Sequence, residues 1–103
     1  MSLSIQQNKL AEIIDFTDKM LGYANAGDWE SVDALQRIRD GVITDFFSDS
    51  VIVEADFLAE QIRHILKVDK EIMALGWLYR NDLQEQLRKI QQGKSAVKAY
   101  SAL

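Results

Sequence analysis

The chain has 103 residues with 12 basic and 16 acidic side chains, a net charge of −4, which is the size and balance of one globular domain spanning 1–103. With no proline and only five glycines it lacks the punctuation that a many-stranded sandwich or barrel needs, and with no cysteine it has no disulfide, thiolate metal site or cysteine nucleophile. No apolar run approaches the roughly eighteen residues of a membrane span, and the opening Met1-Ser2-Leu3-Ser4 has neither the basic nor the apolar region of a signal peptide, so no membrane association and a cytoplasmic location are expected.

The first helical pattern spans residues 5–26, where Leu10, Ile13, Ile14, Thr17, Met20, Leu21 and Ala24 recur at three and four. Asn25-Ala26-Gly27-Asp28 then stops one helix and starts another. Gly27 is free to take the left-handed cap conformation, Asp28 is an N-cap, and Trp29 locks the first turn of the second helix. So short a connection sends that helix, 29–48, back antiparallel to the first. Its apolar positions are Trp29, Val32, Leu35, Ile38, Val42, Ile43 and Phe46, and Ser48-Asp49-Ser50 forms the second turn.

From residue 51 to 92 no turn cluster intervenes before Gly93, and Leu58, Ile62, Ile65, Asp69, Ile72, Gly76, Tyr79, Leu83, Leu87 and Ile90 follow the alternating steps of a coiled-coil seam. The spacing predicts one continuous helix of about 60 Å beside two of about 30–35 Å, followed by a short basic tail over 93–103. The fold class is therefore all-α: an antiparallel three-helix bundle with a long third helix. The excess length either projects, or breaks near Gly76 and folds back as a fourth helix, or is covered by a second copy, in that order of preference. Charge is segregated along the chain. Residues 1–60 carry four bases against twelve acids, and residues 61–103 eight bases against four acids.

Few constellations for chemistry are present. His64, the only histidine, has Glu60 four positions before it, and the pair occurs once, so the di-iron bundle pattern is missing and no metal or cofactor is expected. No phosphate-cradling glycine loop or nucleophile elbow occurs. A small all-helical enzyme of chorismate mutase type would need several inward arginines, one of them from its first helix, which here offers only Lys9 and Lys19. An acidic pI near 4.9 argues against nucleic acid. The chain is read as non-enzymatic.

What stands out is a surplus of apolar side chains in the middle of the third helix. Leu66, Val68, Ile72, Met73, Leu75, Trp77, Leu78 and Tyr79 point in nearly every direction, whereas a bundle helix needs one stripe. Two faces want burial, and a hairpin of two helices covers only one. The other must meet a fourth helix, a client helix laid into a groove, or a second subunit, which would make the chain a dimerisation or scaffold module. The residues picked out for partner binding are Leu66, Ile72, Met73, Leu75, Trp77 and Leu78.

The order of residues resembles the FliT-like flagellar export chaperones. The likeness runs from about residue 10 to 100: Leu21, then Gly27-Asp28-Trp29-Glu30, Val32, Leu35 and Arg39, then Ile65-Leu66, Asp69, Ile72 and Leu75. It closes on Arg80, Leu83, Leu87, Ile90, Gly93, Ala96, Ala99 and Tyr100. The resemblance implies binding without catalysis. The client would be the C-terminal helical segment of the filament-cap protein FliD, held in the cytoplasm before export by a type III secretion route and kept from assembling early; the export ATPase is a further partner of some members. In some members the last helix covers the client groove, and the segregated charge fits a lid in which Arg88, Lys89, Lys94 and Lys98 lie on the acidic helices. Only Ser101-Ala102-Leu103 follow Tyr100, so the contact that longer members make with a transcriptional regulator is not carried over.

Overall fold

In the computed structural model, which describes residues 2–102, three α-helices follow one another: α1 (Leu3–Asn25), α2 (Trp29–Ser48) and α3 (Ala55–Ser101). No strand occurs among the described residues. The architecture is the expected all-α bundle with a long third helix. Ser2 sets the start of α1, two residues ahead of the expected boundary, because its hydroxyl accepts a hydrogen bond from the backbone N–H of Ile5 at 3.3 Å.

The turn between α1 and α2 is a Schellman arrangement. The N–H of Asp28 donates to the carbonyl of Tyr23 at 2.9 Å and that of Gly27 to the carbonyl of Ala24 at 3.1 Å, with Gly27 at φ 75°. An alanine there puts a Cβ into the left-handed region, so Gly27→Ala is expected to cost about 1 kcal/mol, measured as a lower urea midpoint with an unchanged slope.

Asp28 then starts α2. Its carboxylate accepts from the Ser31 hydroxyl at 2.6 Å and from the Ser31 N–H at 3.2 Å, and these two bonds hold its pKa below the ordinary carboxylate value. A lowered folded-state pKa means that the cap's contribution is full above the unfolded-state value and fades as pH falls through the folded one. The stability gap between wild type and Asp28→Ala is therefore expected to hold at neutral pH and to close on acidification, as followed by thermal melts across pH.

The second connection, 49–54, is not helical, although the spacing predicts the third helix from residue 51. Two anchors hold it against the bundle. The Gln6 side chain, fully buried, donates from Nε2 to the Ser50 carbonyl at 2.7 Å and accepts at Oε1 from the Ile52 N–H at 2.9 Å. Val53 is buried against Leu10, Ile13 and Phe46. The β-branched run Val51-Ile52-Val53 thus stays outside the helix and α3 begins at Ala55. At the other end α3 runs past the expected boundary at 92 to Ser101. A helical glycine costs about 1 kcal/mol, which at Gly93, with no proline nearby, does not stop the helix. Most of the expected basic tail is therefore helical; its last residue, Leu103, lies outside the described residues. Gly76 does not break α3 either.

α1 is the central element. Lys9 pairs with Asp45, and Arg39 reaches Thr17 at 3.3 Å, which fixes α1 and α2 as antiparallel. Leu58 and Ile65 pack on the Leu10 end of α1, and Val68 and Ile72 on the Met20 end, so α1 and α3 run parallel. The core has two apolar clusters. Leu10, Ile13, Phe46 and Val53 form one, and Met20, Ala24, Val32, Val68 and Ile72 the other. Between them lies a polar layer made by Thr17, Arg39 and Asp69. From Trp77 onward every described residue of α3 is exposed, and the molecule measures 76 × 20 × 19 Å, so the last part of α3 projects from the bundle.

Candidate functional site

Although α1 packs on both neighbours, α2 and α3 stay apart: among the described residues no Cα atoms of the two come within 8 Å. The seam between them is open along the bundle, and long side chains bridge it at two places. At one end Trp29, half-buried, lies over Gly76, where a Cβ would sit 3.5 Å from its ring. The same indole is tilted 32° to Tyr79, with ring centroids 5.8 Å apart. Gly76 is helical and lies under the Trp29 ring, with room for a Cβ in ordinary van der Waals contact. In the middle Arg39 Nη1 donates to Asp69 Oδ1 at 2.5 Å, while Nε and Nη2 reach the exposed Asp40 at 3.3 and 3.2 Å. Burial works against the charge on Arg39, but the hydrogen bonds and charges of Asp69 and then Asp40 outweigh it. The guanidinium pKa is raised and its charge is held.

Two apolar hollows flank that polar bridge. One, of about 350 Å³, is walled by Trp29 and Val32 from α2 and by Ile72, Met73, Gly76 and Tyr79 from α3, with Asp33, Gln36 and Arg80 at its rim. The other, of about 190 Å³, is lined by Ile43 and Phe47 from α2 and by Leu58, Ile62, Ile65 and Leu66 from α3, and reaches down to Leu10 and Ile13. From Trp29 to Phe47 the seam is about 27 Å long at 1.5 Å per residue, room for a helix of five turns. It can accept apolar side chains at both ends and a polar one in the middle.

The six residues picked out on α3 divide among three situations. Leu66 and Met73 are 62% and 66% exposed and border the seam. Trp77, 60% exposed, continues their stripe one turn further. Ile72 is buried and floors the larger hollow, and Leu75 packs against the apolar cluster around Met20, so both belong to the core. Leu78 is exposed but lies about 100° round the helix from Trp77, away from the seam. The α2 wall is absent from the residues that sequence reasoning selects. Its signal is a second stripe, Trp29, Val32, Gln36, Ile43 and Phe47, beside the one that faces α1.

Arg88, Lys89, Lys94 and Lys98 are exposed on the projecting part of α3, where Arg88 pairs with Glu85 at 2.5 Å; in this structure they do not lie on α1 or α2. His64 hydrogen-bonds Asp18 of α1 at 2.8 Å on the outer surface, a link between helices. No helix of the described residues is long and apolar enough to cross a membrane.

No curated protein and no solved structure matches the chain. A family model does, that of the flagellar protein FliT, and it covers residues 7–102, from the first helix through the polar bridge to the tip of α3. The chain belongs to the FliT family of flagellar proteins.

Proposed function

We propose that the protein is a cytoplasmic flagellar export chaperone that binds the C-terminal helical segment of the filament-cap protein FliD in the seam between α2 and α3. Family membership supports the chaperone role. The observation that carries the site is the open seam itself, a bundle with one pair of neighbouring helices apart and apolar walls on both sides. A client helix laid there completes a four-helix arrangement around α1, α2 and α3. Its apolar residues at three and four spacing enter the two hollows, and burying them removes from solution the surface through which the client would assemble.

Leu66 and Met73 are exposed, so substituting them tests binding without touching the core. Leu66→Asp combined with Met73→Asp is expected to leave the thermal melt of the free protein within a few degrees of wild type. The same variant should weaken binding of a peptide of the FliD C-terminal segment by more than about a hundredfold in calorimetry, because two buried anchors become charges. Undiminished affinity in the folded double variant would overturn the assignment of the seam.

A further inference from the structure

The two walls of the seam are matched stripes of opposite charge. On α3, Arg63, Leu66, Lys70, Met73, Trp77 and Arg80 stand at steps of three and four, all of them exposed, and cover about 25 Å, nearly the whole seam. On α2, Trp29, Asp33, Gln36, Asp40, Ile43 and Phe47 stand at steps of four and three. Both stripes mix apolar and charged residues, but the α3 stripe has three bases and no acid, and the α2 stripe two acids and no base. The bases stand unpaired. Among the described residues Arg63, Lys70 and Arg80 have no ion-pair partner on their own helix or across the seam, although Arg80 and Asp33 line the same hollow. On α2, Asp33 pairs with Arg37 at 2.9 Å in a contact open to water, which contributes little and is readily exchanged. Asp40 accepts from Arg39, whose charge Asp69 already meets, so the three together leave one negative charge at the middle of the seam.

A helix lying between these walls meets α2 along one edge of its apolar face and α3 along the other. We propose that the seam selects its occupant by charge: an amphipathic helix with acidic residues along the edge that faces Arg63, Lys70 and Arg80 and basic residues along the edge that faces Asp33 and Asp40. The inference rests on the reading of the seam as the client site and adds the chemistry of the client. Apolar anchors hold the helix in place, and its edges decide which helix is accepted, since the wrong sign on either edge sets like charges together. Turning a helix end for end exchanges its two edges, so the same charges also set the direction in which it lies.

The probes are synthetic helical peptides of about eighteen residues that share one apolar stripe and differ in their edges, titrated into the full chain by calorimetry. The peptide with one acidic and one basic edge is expected to bind about tenfold or more tightly than those with two acidic or two basic edges, and the difference should shrink as salt approaches about 1 M. Lys70→Glu with Arg80→Glu makes both walls acidic. This variant should keep the melting transition of the wild type and bind the peptide with two basic edges best. Trp29 and Trp77, the only tryptophans, lie at the same end of the seam, so energy transfer to a dansyl group on the peptide N-terminus reports direction. Exchanging the acidic and basic edges of the peptide should leave affinity unchanged and switch the transfer between strong and weak.

Equal affinity for all the peptides, no binding of any of them up to about 1 mM, an unaltered preference in Lys70→Glu with Arg80→Glu, or the same transfer from both edge-exchanged peptides overturns the proposal. Leu66→Asp with Met73→Asp separates its failure from that of the seam. Peptides that bind this variant undiminished lie elsewhere, and the seam itself is refuted. Peptides that lose binding there yet are indifferent to edge charge leave the seam standing and refute only selection by charge.

Discussion

Phe46→Ala is expected to destabilise the protein by about 3–5 kcal/mol, the largest loss of any single apolar truncation in this chain. Phe46 is completely buried among Leu10, Ile13 and Val53, at the point where the end of α2, the first half of α1 and the non-helical connection to α3 converge. Removing its ring leaves a cavity that none of the three can close independently, because Gln6 pins the connection by two hydrogen bonds. A domain of this size has a total stability of about 5–15 kcal/mol, so the variant should melt more than about 10 °C below wild type. Its neighbour is the internal control. Phe47 packs edge-on against the Phe46 ring, with centroids 4.9 Å apart, but is 51% exposed and borders the smaller hollow of the seam. Phe47→Ala should cost under about 1.5 kcal/mol while weakening client binding. If the two variants melt alike, the assignment of one ring to the core and the other to the seam is wrong.

That pair also marks where reading the sequence stops being sufficient. The period of three and four assigns α1 and α2 and carries α3 through Gly76, since each is long and its apolar spacing is repeated many times. The same spacing cannot separate Phe46 from Phe47, or Ile72 and Leu75 from Met73 and Trp77. A helix has a stripe toward each neighbour, and which stripe is covered depends on how far apart the neighbours stand. Here α2 and α3 stand apart, a tertiary fact with no local signature. The boundary at Ala55 escapes the pattern for a related reason. Gln6 lies 44 and 46 residues away from the backbone groups it holds, beyond the reach of any local window of sequence. In contrast, Gly27 and Asp28 are legible, because a left-handed cap and an N-cap are local chemistry.

Arg39→Ala is expected to cost about 2–4 kcal/mol, and for a different reason from Phe46. The Arg39 side chain is the only buried cation among the described residues, and it closes the polar layer between the two apolar clusters by reaching Thr17 on α1 and Asp69 on α3. Truncation leaves the Asp69 carboxylate without its cation, removes one of the two hydrogen bonds of the Thr17 hydroxyl, which keeps the one it donates to the Ile13 carbonyl, and empties the space of the aliphatic stem. The loss falls below the upper range for buried pairs because Asp69 is about one-third exposed and regains water. Replacing the pair by apolar side chains of similar volume, Arg39→Met with Asp69→Leu, should recover most of the lost stability, since no charge is then left unpaired. Recovery of stability need not be recovery of binding. The Arg39–Asp69 pair is the polar bridge across the middle of the seam, and with it gone the two hollows become one apolar trough in which a client helix can shift by a turn. The double variant is therefore expected to fold with near wild-type stability in urea and yet to tolerate an apolar residue at the middle of the client helix that the wild type rejects. A double variant as discriminating as the wild type would confine Arg39 to a structural role.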